Sequence, residues 1–130
     1  MPVRQLTSSV LKWPDTEMVS RELHRWTGDI VYERKDVLRI GYFGSYARGD
    51  WGVGSDLDLV IVVKSSSKPF ERRSTEWDAT SLPVPADVLV YTEEEWGSLT
   101  TQIGFFQTLI REMVWIYDSE KFPANIREGE

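Results

Sequence analysis

Four short apolar runs predict the strands of a small sheet. The run at 57–63 is apolar at all but one position, which favours a central strand covered on both faces. The runs at 37–43 and 86–91 predict two further strands, and the run at 114–117 predicts a short last strand. Gly-rich, Pro-rich or polar segments separate these runs, as expected where turns and helices join strands.

The first helix is predicted to start near residue 15. Asp15 or Thr16 can cap its first turn, and apolar residues then recur at helical spacing as far as Trp26. Gly28 is expected to end this helix. Residues 30–36 are ambiguous, because the first three resemble a strand and the last four form a polar break.

Further helices are predicted between and after the later strands. Residues 70–80 favour a short helix, and Thr92 followed by three glutamates gives the cap and acidic first turn of another. The helix predicted over 101–113 has an apolar stripe formed by Ile103, Phe106, Leu109, Ile110 and Met113. This order of elements predicts an α+β domain, with a small mixed sheet flanked by helices.

Length and composition support a single domain. The chain has 130 residues, of which 41% are hydrophobic, enough to build one core. We expect an N-terminal arm over 1–15, the folded domain over 16–118 and a polar C-terminal tail over 119–130. No apolar run approaches the roughly 20 residues of a membrane-spanning helix. With no cysteine and no signal peptide recognised, a cytoplasmic protein is expected.

Charge and histidine content narrow the chemistry. A net charge of −6 argues against broad binding of nucleic acid, although a metal ion could still neutralise the phosphates of one nucleotide. The single histidine, His24, is interpreted as structural, so a Ser-His-Asp triad is not expected. The chemistry of the protein must then come from carboxylates, hydroxyls, backbone amides and a bound metal. The glutamates at 93–95 are interpreted as a helix N-terminus rather than as metal ligands.

Asp56 and Asp58 stand where the most apolar strand begins. Because side chains alternate along a strand, both carboxylates are expected on one face, with Leu57 on the other. Two adjacent carboxylates repel each other unless a cation lies between them, and their hard oxygens suit Mg²⁺ or Mn²⁺. A solvated acidic turn is the alternative for such a pair taken alone.

Asp87 opens a second apolar strand of the same kind. If that strand pairs beside 57–63, Asp87 can complete a cluster of three carboxylates with Asp56 and Asp58. An acid at the start of a buried strand is costly without a partner, which a metal or a reacting hydroxyl would supply. The alternative is that Asp87 only caps the end of its strand.

Gly44 and Ser45 follow the strand 37–43 and lead into one short helical turn over 45–48. Glycine lets the backbone approach a ligand closely, and the free amides and the Ser45 hydroxyl favour an anion. No Gly-Lys-Ser/Thr follows, so this is not a Walker A loop. By itself, Gly-Ser is also a common structural turn.

Three neighbouring residues have two readings each. Arg48 can reach a phosphate or be an ordinary surface arginine, and Ser55 can touch a phosphate or cap the turn. Trp51 lies in the loop between the two motif halves and can stack on a base, although packing of the loop is favoured. Together with Trp13 and Trp96, it is a surface candidate for self-association or partner binding.

The whole motif resembles a known family. Gly44-Ser45, ten intervening residues, Asp56-x-Asp58 and a later Asp87 are similar to the nucleotidyltransferase fold of the DNA polymerase β superfamily. The surrounding residues 42–49 and 55–60 resemble its small prokaryotic branch, the minimal nucleotidyltransferases. The resemblance covers roughly residues 16–118.

The resemblance implies a reaction and roles for these residues. Asp56 and Asp58 would bind two Mg²⁺ ions around ATP or another NTP, and Gly44 and Ser45 would hold its β and γ phosphates. Asp87 would share one metal and help deprotonate the acceptor hydroxyl, which attacks the α-phosphorus as pyrophosphate leaves. Such in-line transfer needs positioning and charge stabilisation more than a protein nucleophile.

The resemblance also suggests an acceptor. Larger members carry an extra helical domain that holds the acceptor, whereas about 12 residues follow the last predicted strand here. Minimal nucleotidyltransferases are often antitoxins that transfer AMP onto a tyrosine of a helical HEPN toxin, and that role is expected. The alternatives are transfer to a small molecule such as an antibiotic, and a non-catalytic antitoxin or nucleotide-binding module.

Overall fold

A computed structural model describes residues 14–101 and 105–121. Its centre is a four-stranded sheet with strand order β3-β2-β1-β4. The strands are β1 (Val37–Phe43), β2 (Leu57–Val63), β3 (Ala86–Thr92) and β4 (Val114–Asp118). β2 runs parallel to β3 and antiparallel to β1, and β1 runs antiparallel to β4. The predicted small mixed sheet flanked by helices is therefore confirmed, with 57–63 as an inner strand.

Five α-helices flank this sheet among the described residues. They are α1 (Thr16–Glu33), α2 (Ser45–Arg48), α3 (Phe70–Arg73), α4 (Glu93–Leu99) and α5 (Phe105–Glu112). A turn of 3₁₀ helix, Ser74–Glu76, continues α3. None of the described helices has the length and apolar character that a membrane crossing requires.

Helix α1 is longer than its sequence predicts. Asp15 caps it, accepting a hydrogen bond from the Met18 amide at 2.9 Å. The prediction that Gly28 ends the helix is wrong, because the helix continues to Glu33. Val31 is buried in the core beyond this point, and burial of an aliphatic side chain outweighs the roughly 1 kcal/mol that a helical glycine costs. A side chain at Gly28 would meet open space.

The later helices differ from their predictions mainly in length. The helix predicted over 70–80 ends early, and its chain turns at Trp77, which is buried. The predicted start at Thr92 is confirmed by a capping box: the Glu95 amide donates to Thr92 Oγ1 at 3.2 Å, and the Thr92 amide donates to Glu95 Oε1 at 3.0 Å. Helix α5 is described from Phe105, so Ile103 lies outside the described residues.

The two faces of the sheet bury separate clusters. One face packs Ile40, Leu59 and Ile61 against side chains of α1 such as Leu23. The other packs Val60 and Val62 under α4 and α5, where Trp96 meets Trp115 edge to face at 5.6 Å. The larger cluster anchors β2 from its first residue, the fully buried Leu57, whereas the next residue, Asp58, stays half-buried.

Of the three tryptophans predicted at the surface, Trp51 and Trp96 are among the described residues. Trp96 is buried, so its prediction as a surface residue is wrong. Trp51 packs its ring parallel to that of Tyr46, with centroids 5.6 Å apart, which agrees with the favoured packing role. Trp13 lies outside the described residues.

Candidate active site

Strand pairing brings two of the predicted carboxylates side by side. In the parallel ladder of β2 and β3, Asp58 is the register partner of Asp87. Residues opposite each other in a ladder point to the same face, so both carboxylates project from one face of the sheet. The two strands do pair, which is the condition under which Asp87 can join Asp58 in one cluster. The sheet register, rather than a loop, thus sets the spacing of the two acids.

The electrostatics of this cluster are unfavourable for its central acid. Asp58 is half-buried, whereas Asp56 and Asp87 are exposed. Burial raises the pKa of the Asp58 carboxyl, and the negative charges of Asp87 and Asp56 raise it further. The Arg48 guanidinium opposes this rise in pKa without cancelling it. A half-buried carboxylate facing two like charges is the pattern expected of a group that awaits a cationic or proton-bearing ligand.

The Gly44 turn lies directly against this carboxylate. Asp58 is the antiparallel partner of Phe43, the last residue of β1, so the turn after β1 passes over the Asp58 side chain. Gly44 has φ +82° and ψ −152°, a conformation almost restricted to glycine. A β-carbon at this position would collide with Asp58 Oδ2. Both backbone conformation and space therefore require glycine here.

Helix α2 holds the other side of the turn. Its four residues run from Ser45, which is half-buried, to Arg48, and Gly49 follows as the C-cap in the left-handed region with φ +84°. The Arg48 amide donates to the Gly44 carbonyl at 2.9 Å, which closes the turn. The stacked Tyr46 and Trp51 rings pack the loop behind it. The predicted helical turn over 45–48 is thus confirmed.

Two clefts meet at Asp58. The first cleft, of about 540 Å³, is lined by Phe43, Gly44, Ser45, Arg48, Asp56, Asp58, Leu109 and Glu112. It brings together five residues that the sequence singles out. The second cleft, of about 850 Å³, lies on the β3 side, with Asp58 and Asp87 at one end and the segment 79–86 along its wall. Asp58 is the residue that both clefts share.

Ser55 does not reach either cleft. Its hydroxyl accepts a hydrogen bond from the Gly52 amide at 2.8 Å, and its own amide donates to the Gly52 carbonyl at 2.9 Å. Of the two roles considered for Ser55, the structure shows the local one of closing the turn before Asp56.

Arg48 is engaged by two carboxylates. Its Nε lies 3.0 Å from Asp50 Oδ2, and its Nη1 lies 3.2 Å from Glu112 Oε1. The side chain is half-exposed at the edge of the first cleft. Its guanidinium therefore lies at the protein surface and at the rim of the cleft, and its contact with a phosphate stays a prediction.

Glu112 is a member of the site that sequence reasoning missed. From the end of α5 its Oε1 accepts a hydrogen bond from the Gly44 amide at 3.1 Å, across 68 residues of sequence. One signal could have found it: Glu112 is three positions after Leu109, in phase with the apolar stripe of the helix. A glutamate on that side of the helix needs a hydrogen-bond donor, and the amide of Gly44 is that donor.

The excluded groups lie elsewhere. His24 is exposed on α1, where its Nδ1 is 2.8 Å from the Ser20 carbonyl oxygen of the preceding turn. Glu93 and Glu94 are exposed in the first turn of α4, and Glu95 forms the capping box with Thr92. The interpretation of these glutamates as a helix N-terminus is confirmed.

The donor set suits a hard divalent cation completed by a ligand. Within residues 14–101 and 105–121, no three acidic or histidine side chains form a ready-made metal cage. Mg²⁺ is usually held by one or two carboxylates together with substrate phosphates, so such a cage is not required. Asp56 and Asp58 line the cleft below the Gly44 turn, and Asp87 is in register with Asp58. The side chains present therefore fit a Mg²⁺-phosphate ligand.

Comparison with known proteins identifies the class. The family model of the nucleotidyltransferase domain matches residues 25–112, about two thirds of the chain. The chain therefore belongs to the nucleotidyltransferase domain family, and the predicted polymerase β-like fold is confirmed. No curated protein matches the sequence.

Two solved structures share this fold. One is a protein of Sulfolobus solfataricus assigned as a nucleotidyltransferase, with 21% identity, a TM-score of 0.57 and coverage of 81% of this chain and 87% of that chain. The other is a toxin–antitoxin structure with AMP-PNP, with 13% identity, a TM-score of 0.52 and coverage of 75% of each chain. At these identities, the likeness shows the fold alone.

Proposed function

We propose that this protein is a Mg²⁺-dependent nucleotidyltransferase that transfers a nucleoside monophosphate, AMP from ATP, to a hydroxyl. The acceptor we propose is a tyrosine of a HEPN-type toxin, with this protein as its antitoxin. The observation that carries the proposal is the register pairing of Asp58 with Asp87 directly beneath the Gly44 turn. It places two of the three acids next to a glycine turn, and in this proposal the turn would receive phosphate and the acids would hold metal.

In this proposal, the first cleft holds the donor nucleotide. Gly44 has no β-carbon, so its backbone can approach a phosphate oxygen, and its amide points into the cleft toward Glu112. Ser45 adds a hydroxyl, and Arg48 adds a positive charge at the rim. Asp56 and Asp58 would hold Mg²⁺ between themselves and the phosphates. Bound there, the metal would neutralise charge on the phosphates and on the leaving pyrophosphate.

The second cleft would receive the acceptor. Asp87 is exposed at its end, next to Asp58, where its carboxylate could accept the proton of an incoming hydroxyl. The described residues that line this cleft include two aspartates and no lysine or arginine. An acidic cleft disfavours a polyanionic acceptor such as nucleic acid and suits a neutral or basic protein segment.

The partner part of the proposal has separate support. One structural neighbour is a toxin–antitoxin complex with AMP-PNP, so this fold occurs with both kinds of ligand that the proposal requires. The proposed role implies a cytoplasmic location, where ATP and a toxin partner would both be available.

The test is intact-mass analysis of a co-purified HEPN-type partner, incubated with and without ATP and Mg²⁺. We expect a gain of one or more AMP units that requires both. Tryptic mapping then locates the modified residue, and a tyrosine is expected. A mass gain that matches another nucleotide would change the proposed donor but keep the proposed reaction. Tight binding with no mass change would contradict the transfer reaction.

The second candidate is an antitoxin that acts by contact alone. It is favoured by one observation: Glu112 already occupies the Gly44 amide on which the first proposal places a phosphate. This candidate predicts neutralisation of the toxin without ATP, and equal neutralisation by a variant in which Asp56 and Asp58 are replaced by asparagine.

A further inference from the structure

One carboxylate oxygen occupies two anion-binding groups of the Gly44 turn at once. Glu112 Oε1 accepts from the Gly44 amide at 3.1 Å and from Arg48 Nη1 at 3.2 Å. These are the backbone donor and the cation that the proposed function assigns to phosphate. The Glu112 side chain therefore places a negatively charged oxygen where a phosphate oxygen would bind.

The position of Glu112 on its helix is unfavourable for a negative charge. Glu112 is the last residue of α5, where the unpaired carbonyl groups of the helix carry partial negative charge. A carboxylate is disfavoured at that end, and this side chain is also about three-quarters buried. Its placement therefore depends on the Gly44 amide and on Arg48, which compensate its charge.

Arg48 is not committed to Glu112 alone. Its Nε pairs with Asp50, and both of these side chains are about half-exposed. An exposed pair of this kind contributes little, so the guanidinium can exchange one carboxylate for another anion at small cost. The contacts of Glu112 are thus of the kind that a more highly charged ligand can replace.

We infer that Glu112 is a displaceable plug of the donor site, which must leave the Gly44 amide and Arg48 before a triphosphate can bind. The inference rests on the proposed function, since it takes the first cleft as the triphosphate site. Because the Glu112 carboxylate competes for the Gly44 amide and Arg48, it lowers the affinity for the triphosphate group. Contacts to the nucleoside are not affected. Removing the charge of Glu112 should therefore strengthen triphosphate binding.

The test is titration calorimetry of inorganic triphosphate with Mg²⁺ into the wild type and the Glu112→Gln variant. Glutamine keeps the size of the side chain and an oxygen for the Gly44 amide, but its hydrogen bonds lack the added strength of a charged acceptor. We expect the variant to bind triphosphate about tenfold more tightly.

The matched control is Glu94→Gln. It makes the same change in net charge on an exposed residue beyond the far end of β3, the end opposite Asp87. We expect its affinity for triphosphate to equal that of the wild type within about twofold, because screening weakens charge effects over such distances. A gain in both variants would assign the effect to net charge and overturn the plug.

Further outcomes separate the plug from a purely structural role and from the proposed function. Equal or weaker binding by Glu112→Gln, with an unchanged melting temperature, would mean that Glu112 only supports the turn. If Glu112→Gln does not fold, Glu112→Ala replaces it, with the same expected gain.

Triphosphate binding by none of the proteins would overturn the donor site together with the plug. Triphosphate binding without AMP transfer would overturn the reaction alone.

Discussion

Charged side chains have opposite kinds of neighbour at the two ends of the β2–β3 pair. Near the end of β3, the buried Arg73 makes a bidentate pair with Glu95, at 2.6 and 3.0 Å. The same guanidinium donates to the carbonyl oxygens of Val90 at 3.1 Å and Lys68 at 2.8 Å. At the start of β3, Asp87 instead faces Asp58, a second acid.

The pKa values follow this difference. Hydrogen bonds from Arg73 lower the pKa of Glu95 to about 2. Burial and the neighbouring acids raise the pKa of Asp58. Both regions carry partly buried charge, but the Arg73 end supplies a directly paired carboxylate, whereas at the Asp58 end Arg48 offsets the rise in pKa only in part. In a small domain, a charged cluster that the fold leaves only partly compensated is therefore the place to look for function.

The largest expected effect is on activity at the uncompensated end. Replacing Asp56 and Asp58 together with asparagine should reduce transfer of label from α-labelled ATP by about 1,000-fold or more, because the metal ligands are lost. The protein should stay folded by circular dichroism. A control with the same charge change, Asp29→Asn with Glu94→Gln, should keep full transfer. Undiminished labelling in the double aspartate variant would refute the catalytic role.

The next effect is on stability at the compensated end. Arg73→Ala should lower the free energy of unfolding by roughly 3 kcal/mol, because it removes a buried guanidinium together with its ion pair to the partly exposed Glu95 and its two hydrogen bonds to carbonyl groups. Arg72→Ala is the matched control, since Arg72 is exposed, and should cost less than about 0.5 kcal/mol. Urea unfolding measures both. Equal losses would show that the Arg73 pair stabilises no more than a surface charge does.

Two glycines with positive φ near the Asp58 end differ in what surrounds them. Gly49→Ala, at φ +84° with open space around it, should cost about 1 kcal/mol of conformational strain. Gly44→Ala should cost at least about 1 kcal/mol more, because its methyl group would also collide with Asp58. Thermal melts in metal-free buffer check the difference. Equal costs would mean that the turn does not press on the carboxylate.

The smallest expected effect is a gain in stability. Because the pKa of Asp58 is raised in the folded state, the protonated form stabilises the fold, and this stability is lost as pH rises through the raised pKa. Asp58→Asn should therefore raise the melting temperature near neutral pH by about 2–4 °C in metal-free buffer. The gain should shrink as the pH is lowered toward about 4. A destabilised variant, or a gain that does not depend on pH, would contradict the electrostatic account.

Local sequence was enough to predict most of the sheet. The runs 37–43 and 57–63 match β1 and β2 residue for residue, because runs dominated by apolar and β-branched positions leave few alternatives to a strand. Helix ends were less predictable. Gly28 is a typical helix terminator, but the buried Val31 three residues later continues α1 through it.

The site divides in the same way. Gly44, Ser45, Asp56 and Asp58 could be found in the sequence, because they lie within 15 residues and flank two apolar runs. The apolar stripe of its helix could have shown that Glu112 faces inward but not which residues it meets, since 64 residues separate it from Arg48 and the packing of α5 over the sheet brings them together. Trp96 was predicted at the surface for a similar reason: its burial depends on Trp115, from a distant strand.

By itself, the sequence determined the strands of the sheet, the glycine turn and the identity of three acids, because each is a local pattern of residue types. Only the tertiary structure decided which groups meet: the parallel register sets Asp87 beside Asp58, and α5 sets Glu112 on the Gly44 amide. The physical reason is that local patterns act over a few residues, whereas a charge is compensated, or left uncompensated, by whatever the fold packs against it.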